Sequence, residues 1–196
     1  MKRIFDVIAS GLGLVVLSPL FLILAVWIKL DSKGPVFYRQ VRVGLHNKDF
    51  RIFKFRSMRV GADKGSLVTI GGRDPRITRS GYFIRKFKFD ELPQLINVFV
   101  GDMSLVGPRP EVRHYVDYWT DEQMHVLDVR PGITDPASIK FRNENELMEQ
   151  AEDPEKYYIE VIMQEKLKLY LEYVQNQSFW GDIGLIFKTF WVIIKE

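Results

Sequence analysis

The sequence predicts an α+β protein, mainly helical, with an N-terminal helix-break-helix that re-enters a membrane, one small β-hairpin and further helices at the interface. Three patterns predict it. The stretch from Val7 to Ile28 carries no charged residue. A single pair of alternating segments surrounds the turn Gly44-Leu45-His46-Asn47. Later apolar residues recur every three or four positions, as on one face of a helix.

As one straight helix, residues 7–28 would rise about 33 Å, enough to cross a bilayer. Ser18-Pro19 falls in the middle, where proline removes a backbone hydrogen bond and crowds the preceding turn. Lys2 and Arg3 flank the segment on one side, and Lys29, Lys33, Arg39 and Arg42 on the other. Basic flanks favour the cytoplasmic side. A re-entrant hairpin over residues 1–30, broken at Ser18 and Pro19, is therefore expected ahead of a spanning helix. The Ser18 hydroxyl would serve backbone groups that Pro19 frees. The apolar run is long and no small-residue cleavage site follows, which argues against a signal peptide. Residues 31–196 then form one membrane-associated unit.

Val36 to Arg56 reads as the hairpin. In its second strand Phe53 and Phe55 point one way, Lys54 and Arg56 the other, so one face packs and the other offers two cations. Gly61 to Gly72 is glycine-rich and reads as a loop. Ile77 to Phe87 forms a short helix carrying Arg85 and Lys86. Glu111 to Leu127 is expected as a longer helix, with turns at Arg130-Pro131-Gly132 and Asp135-Pro136. Ile159, Met163, Leu167, Leu171 and Val174 line the apolar stripe of an amphipathic helix. Phe179 to Ile194 is nearly all apolar or aromatic, and Trp180 and Trp191 suit either the headgroup level of a membrane or packing on the domain.

The 196 residues suffice for one cored domain. Absence of cysteine excludes disulfides, thiolate catalysis and cysteine-held metal. The three histidines, His46, His114 and His125, have no ligand spacing. Between Lys29 and Lys88 stand 16 Lys/Arg against 4 Asp/Glu, a local excess of +12 in a chain of net charge +3. Such a block faces phosphates, of lipid headgroups or of a substrate.

Asp90-Glu91 is the candidate site. Pro93 is tolerated in a first helical turn, so a helix is expected to begin there with both carboxylates at its donor-rich end. Adjacent carboxylates on a helix diverge by about 100° and can take different roles. Helix capping alone also explains an acidic pair at such a place. Arg85 lies upstream, and Gly107-Pro108-Arg109-Pro110 presents Arg109 on a stiff backbone, its planar fork suited to phosphate. Walker-type, Rossmann and Gly-x-Ser-x-Gly signatures are missing from the sequence. A non-catalytic, membrane-anchored module that binds lipid or a partner is the alternative reading at this point.

The run Asp90-Glu91-Leu92-Pro93-Gln94-Leu95-Ile96-Asn97-Val98, then Gly101-Asp102-Met103-Ser104-Leu105-Val106-Gly107-Pro108-Arg109-Pro110, closely resembles the bacterial sugar transferases, the monotopic phosphoglycosyl transferases. Lys2-Arg3-Ile4-Phe5-Asp6, Ser18-Pro19, Lys54-Phe55-Arg56-Ser57-Met58 and Arg130-Pro131-Gly132-Ile133-Thr134 support it in the same order. The resemblance implies transfer of a sugar 1-phosphate from a UDP-sugar to polyprenol (undecaprenyl) phosphate with release of UMP, the first membrane step of glycoconjugate synthesis. It implies Mg²⁺ as cofactor and a monotopic site at the cytoplasmic face of the bacterial inner membrane, ahead of downstream glycosyltransferases. Carried over by position, Asp90 is the nucleophile, Glu91 assists the second half-reaction, and the pair Asp90 and Glu91 would hold the metal. Lys54, Arg56, Arg85, Arg109, Pro108 and Pro110 would line the diphosphate site. Nucleic acid is not among the partners implied, and a homodimer through the C-terminal helices is allowed. Departures from the family's pattern are Asp135-Pro136-Ala137-Ser138, Tyr170 and Phe89. They leave the nucleophile untouched and bear on the donor pocket.

Overall fold

A computed structural model describes residues 1–62, 74–141 and 144–194. Most of the glycine-rich stretch at 61–72 lies outside these residues. Helix α1 spans Lys2–Asp31. It continues through Pro19 as one helix, where two half-helices were expected. Ser18 Oγ donates to the Val15 carbonyl at 2.8 Å. That carbonyl is the one a proline at position 19 leaves without its usual donor, so the hydroxyl helps the helix run on.

Strands β1 (Phe37–Val43) and β2 (Asp49–Phe55) pair antiparallel, Tyr38 facing Lys54 and Val41 facing Arg51. A 3-10 turn at Leu45–Asn47 joins them, with His46 and Asn47 in the left-handed region. Helix α2 (Arg79–Lys86) starts at Thr78, whose hydroxyl accepts from the Gly81 N–H. It packs so closely that a Cβ on Gly81 would lie 1.8 Å from the Ser57 carbonyl oxygen. Leu24 and Ile28 of α1, Phe55 of β2 and Ile84 of α2 form one buried cluster.

Helix α3 spans Gln94–Val100 and ends on left-handed Gly101. Short strands β3 (Ser104–Val106) and β4 (Gly132–Thr134) pair in parallel. This second sheet is absent from the sequence reading, which had only a turn at Arg130-Pro131-Gly132. The long helix expected over Glu111–Leu127 is instead α4 (Arg113–Val116) and a 3-10 segment at Gln123–Asp128. Thr120 and Gln123 explain the division: Thr120 N–H donates to Gln123 Oε1 at 2.9 Å, and Gln123 N–H to Thr120 Oγ1 at 3.3 Å. That reciprocal pair is a capping box, which starts a new segment.

Asp135 caps α5 (Pro136–Lys140) by accepting from the Ser138 N–H, so Asp135-Pro136 opens a helix. Short helices α6 (Glu144–Glu149) and α7 (Pro154–Tyr157) lead through a π-turn at Tyr158–Ile162 into α8 (Met163–Asn176). The α8 stripe buries Met163 and Leu167 as expected, with Ile159 and Leu171 at the edge of the same core. Tyr170 and Tyr173 are buried with them. Helix α9 (Phe179–Ile194) leaves Trp180, Phe187 and Trp191 exposed.

Both ends of α1 fasten to this body. Near its start, Asp6 and Lys2 bond to β3. Near its end, Asp31 Oδ2 accepts from Ser80 N at 2.9 Å and Ser80 Oγ at 2.8 Å, at the start of α2. Between them Gly11 and Gly13 let Phe99 and Leu95 of α3 approach. Ile8, Leu12, Val15, Val16, Leu22 and Ile23 face outward.

Candidate active site

Asp90 and Glu91 lie in a separate 3-10 turn, Phe89–Glu91, rather than in the first turn of α3. Lys88, in the left-handed region at φ 56°, ends the preceding segment and redirects the chain. Phe89 then packs against the α1–β2–α2 cluster, which anchors the turn. Asn97 of α3 is fully buried; its Oδ1 accepts from Phe53 N–H at 2.8 Å and its Nδ2 donates to the Arg51 carbonyl at 2.9 Å. The side-chain amide thus stands in for a strand partner along β2 and sets Lys54 beside Glu91.

Arg109 comes from the other side. Gly107 N–H donates to the Thr134 carbonyl at 3.1 Å, and the Pro108 carbonyl accepts from Gly132 N–H at 2.9 Å. The Pro110 carbonyl accepts from Arg42 Nη1 at 3.0 Å. A Cβ at Gly107 would lie 2.3 Å from the Arg130 carbonyl oxygen, so the loop needs glycine there to close against β4. Pro108 and Pro110 are buried braces on either side of a partly exposed Arg109.

These elements bring two cations onto one carboxylate. Lys54 Nζ lies 3.0 Å from Glu91 Oε1, Arg109 Nη1 lies 3.2 Å from Oε2, and Arg109 Nη2 also pairs with Oε1. Burial pushes the Glu91 carboxyl up, but the Arg109 guanidinium and the Lys54 ammonium outweigh it and hold Glu91 well below its usual range. Burial lowers Lys54 in spite of Glu91. Asp90 is the opposite case. It makes no hydrogen bond or ion pair among the described residues, and burial together with the neighbouring Glu91 charge raises its pKa against the pull of Lys54, Arg85 and Lys88. The pair therefore divides into one carboxylate kept charged by the two cations paired to it and a more basic carboxylate with free oxygens. That division suits a nucleophile set in a field of positive charge.

Lys54, Asp90, Glu91 and Arg109 come together, with Arg85 within electrostatic reach of Asp90. Arg56 does not join them. It is 4% exposed, and its guanidinium donates to the carbonyls of Lys33 at 2.6 Å and Ser32 at 2.8 Å, closing the C-terminal end of α1. β2 ends at Phe55, so the alternation that put Arg56 beside Lys54 no longer governs it. Ser18 and Pro19 lie on the outward surface of α1.

The part Asn97 plays in aligning β2 is not written in the sequence beyond its place in α3 within the Asp90–Val98 run. Asp135 and Tyr170 are both buried, and both act electrostatically on Arg109. Burial and then the Asp135 charge raise the Tyr170 phenol well above its ordinary value.

Among the described residues no group of three or more His, Cys, Asp or Glu is placed to hold a metal. Mg²⁺ commonly takes one or two carboxylates and completes its shell with phosphate oxygens and water. Asp90, with unengaged oxygens, fits that pattern, whereas Glu91 is already occupied by two cations.

The chain is 41% identical to the UDP-N-acetylgalactosamine-undecaprenyl-phosphate N-acetylgalactosaminephosphotransferase of Aeromonas hydrophila, over 99% of this chain and 44% of that protein. It is 38% identical to the UDP-glucose:undecaprenyl-phosphate glucose-1-phosphate transferase of Klebsiella pneumoniae, over 96% of this chain and 39% of that one. A protein of the same description from Caulobacter vibrioides is 36% identical, with 67% of its length covered. The chain thus spans about two-fifths of the length of the first two relatives. The sequence profile described as bacterial sugar transferase matches residues 1–196, and the chain belongs to that family.

Proposed function

We propose that this chain is a phosphoglycosyl transferase, moving a sugar 1-phosphate from a UDP-sugar to undecaprenyl phosphate and releasing UMP. The observation that carries the reading is the divided carboxylate pair: Glu91 held by Lys54 and Arg109, and Asp90 left free and more basic beside it. The names of the relatives supply the substrate classes.

In the first step an Asp90 carboxylate oxygen attacks the sugar-bearing phosphorus. The bond from that phosphorus to the bridging oxygen breaks, and UMP leaves with the electron pair. The product is a sugar-phosphoryl ester of Asp90. In the second step a phosphate oxygen of the polyprenol attacks the same phosphorus and expels the Asp90 carboxylate, leaving polyprenyl-diphosphate-sugar. Arg109 and Lys54 hold the diphosphate charge that would otherwise repel the nucleophile, and Glu91 keeps both cations aimed at it. Arg85 adds positive charge at Asp90. Mg²⁺, held by Asp90 and phosphate oxygens, would supply further charge neutralisation.

The site works at the cytoplasmic face of the membrane, on a monotopic anchor formed by α1, which runs on through Ser18-Pro19 as one helix. Support comes from α1, whose two ends are fastened to one body while its apolar face points outward. A spanning helix would carry those ends to opposite sides of a hydrocarbon layer about 30 Å thick.

The test is UMP release from a panel of UDP-sugars with undecaprenyl phosphate, in wild type and Asp90→Asn. Multiple-turnover release that depends on both substrates, with at most one equivalent of UMP per enzyme from the donor alone, is expected, and both should vanish in the folded variant. Lipid binding with no UMP from any donor would favour a docking module instead.

A further inference from the structure

Each residue of β3 is held by side chains from outside the sheet. Asp6, 3% exposed, accepts from Ser104 Oγ through Oδ2 at 2.8 Å and from Leu105 N–H through Oδ1 at 3.1 Å. Lys2 Nζ donates to the Val106 carbonyl at 2.9 Å. Lys2 is itself fixed by Tyr173 OH at 2.7 Å and Asp182 Oδ2 at 2.7 Å, and Tyr173 OH donates to Asp182 Oδ1 at 2.7 Å. The residue after this strand is Gly107, and Arg109 follows two positions later on a proline-stiffened backbone. A shift of β3 therefore reaches the Arg109 guanidinium with little slack to absorb it.

We propose that Asp6, supported by Lys2, is a positioning residue that sets Arg109 on the donor's diphosphate by holding β3 from the membrane helix. The proposal rests on the reading of Arg109 as the diphosphate clamp. Its physical content lies in the carboxylate: two acceptor oxygens meet two donors on consecutive residues, a match that an amide, with one oxygen, cannot make. Burial leaves no water to replace the lost bond. The first turns of α1 thereby help place Arg109, about a hundred positions later in the chain.

The experiment is a double-mutant cycle read by UDP binding, with Mg²⁺ present, to the full chain in nanodiscs. Asp6→Asn and Arg109→Lys are each expected to weaken UDP by about tenfold, because small displacements of a clamp carry large costs. In the Arg109→Lys background Asp6→Asn should cost less than about twofold, since both changes remove the same contact. Ser104→Ala, a gentler change that keeps the Leu105 bond, should weaken UDP by about threefold and show the same non-additivity; it decides the matter if Asp6→Asn does not fold. Arg3→Met is the structural control. Arg3 binds the Val98 and Phe99 carbonyls of α3 at 2.7 and 3.1 Å, on the same turns of α1 but away from β3. It should lower thermal stability and leave UDP affinity unchanged. Full additivity of the Asp6 or Ser104 change with Arg109→Lys would overturn the proposal, as would an equal loss of affinity in Arg3→Met. Failure of the wild type to bind UDP would strike at the functional reading instead.

Discussion

Replacing Glu91 by Gln removes the one negative charge between Lys54 and Arg109 while keeping shape. The three side chains are 21%, 18% and 35% exposed, so the cluster is only partly screened. Removing one partner of a fully buried ion pair costs about 3–5 kcal/mol, because the remaining charge is stranded. The partial exposure here reduces that to about 2–3 kcal/mol. For a domain of this size each kcal/mol moves Tm by about 2–4 °C, so a drop of about 4–12 °C is expected in detergent by intrinsic fluorescence. The pH dependence is equally specific. Glu91 is depressed below its ordinary 4.5, so its stabilisation is complete above that value and lost as pH falls through the lower folded pKa. The gap between wild type and variant should hold from neutral pH down to about pH 5 and close only in stronger acid. Equal Tm values at neutral pH, or a gap that already closes between about pH 7 and 6, would refute the reasoning.

Asp90→Asn should shift stability the other way. The raised Asp90 pKa means its charge destabilises the folded state above the unfolded pKa, so the variant should melt higher than wild type at neutral pH, with the difference vanishing in acid. For the same reason the first half-reaction in wild type should fall off on the acid side at a pH above the 3.8 of a free aspartate. Arg56→Ala should cost about 2–4 kcal/mol by uncapping α1, yet leave KM for the donor unchanged in steady-state assays at low temperature. The chain has no cysteine, so Ile4→Cys and Leu30→Cys can be labelled singly. Both should react with a membrane-impermeant maleimide from the cytoplasmic side alone, and labelling from opposite sides would contradict the monotopic anchor.

The legible parts of the fold were those set by local chemistry. Alternation around Gly44-Leu45-His46-Asn47 predicted the hairpin, and the apolar period predicted α8. Long-range pairing was not legible: β3 and β4 are three residues each, too short for a pattern, and their pairing leans on the close approach of Gly107 and Gly132. Thr120 and Gln123 have the spacing of a capping box, and that local pair divides the segment expected as one continuous helix. At the site, Asp90, Glu91, Lys54 and Arg109 were readable because motif and charge coincide. Arg56 was misplaced because alternation says nothing beyond a strand's last residue. Asn97, Asp6 and Tyr170 act by bonding or packing to distant backbone and side chains, which only the folded chain reveals.

Incubating the protein with a UDP-sugar and Mg²⁺ but no lipid acceptor, then quenching and recording its intact mass, tests the central claim most directly. The account predicts a mass increase of one sugar phosphate, mapped to Asp90 by peptide analysis, absent from Asp90→Asn and discharged by undecaprenyl phosphate. Normal turnover with no such adduct under conditions that trap acyl phosphates, or an adduct on another residue, would contradict it.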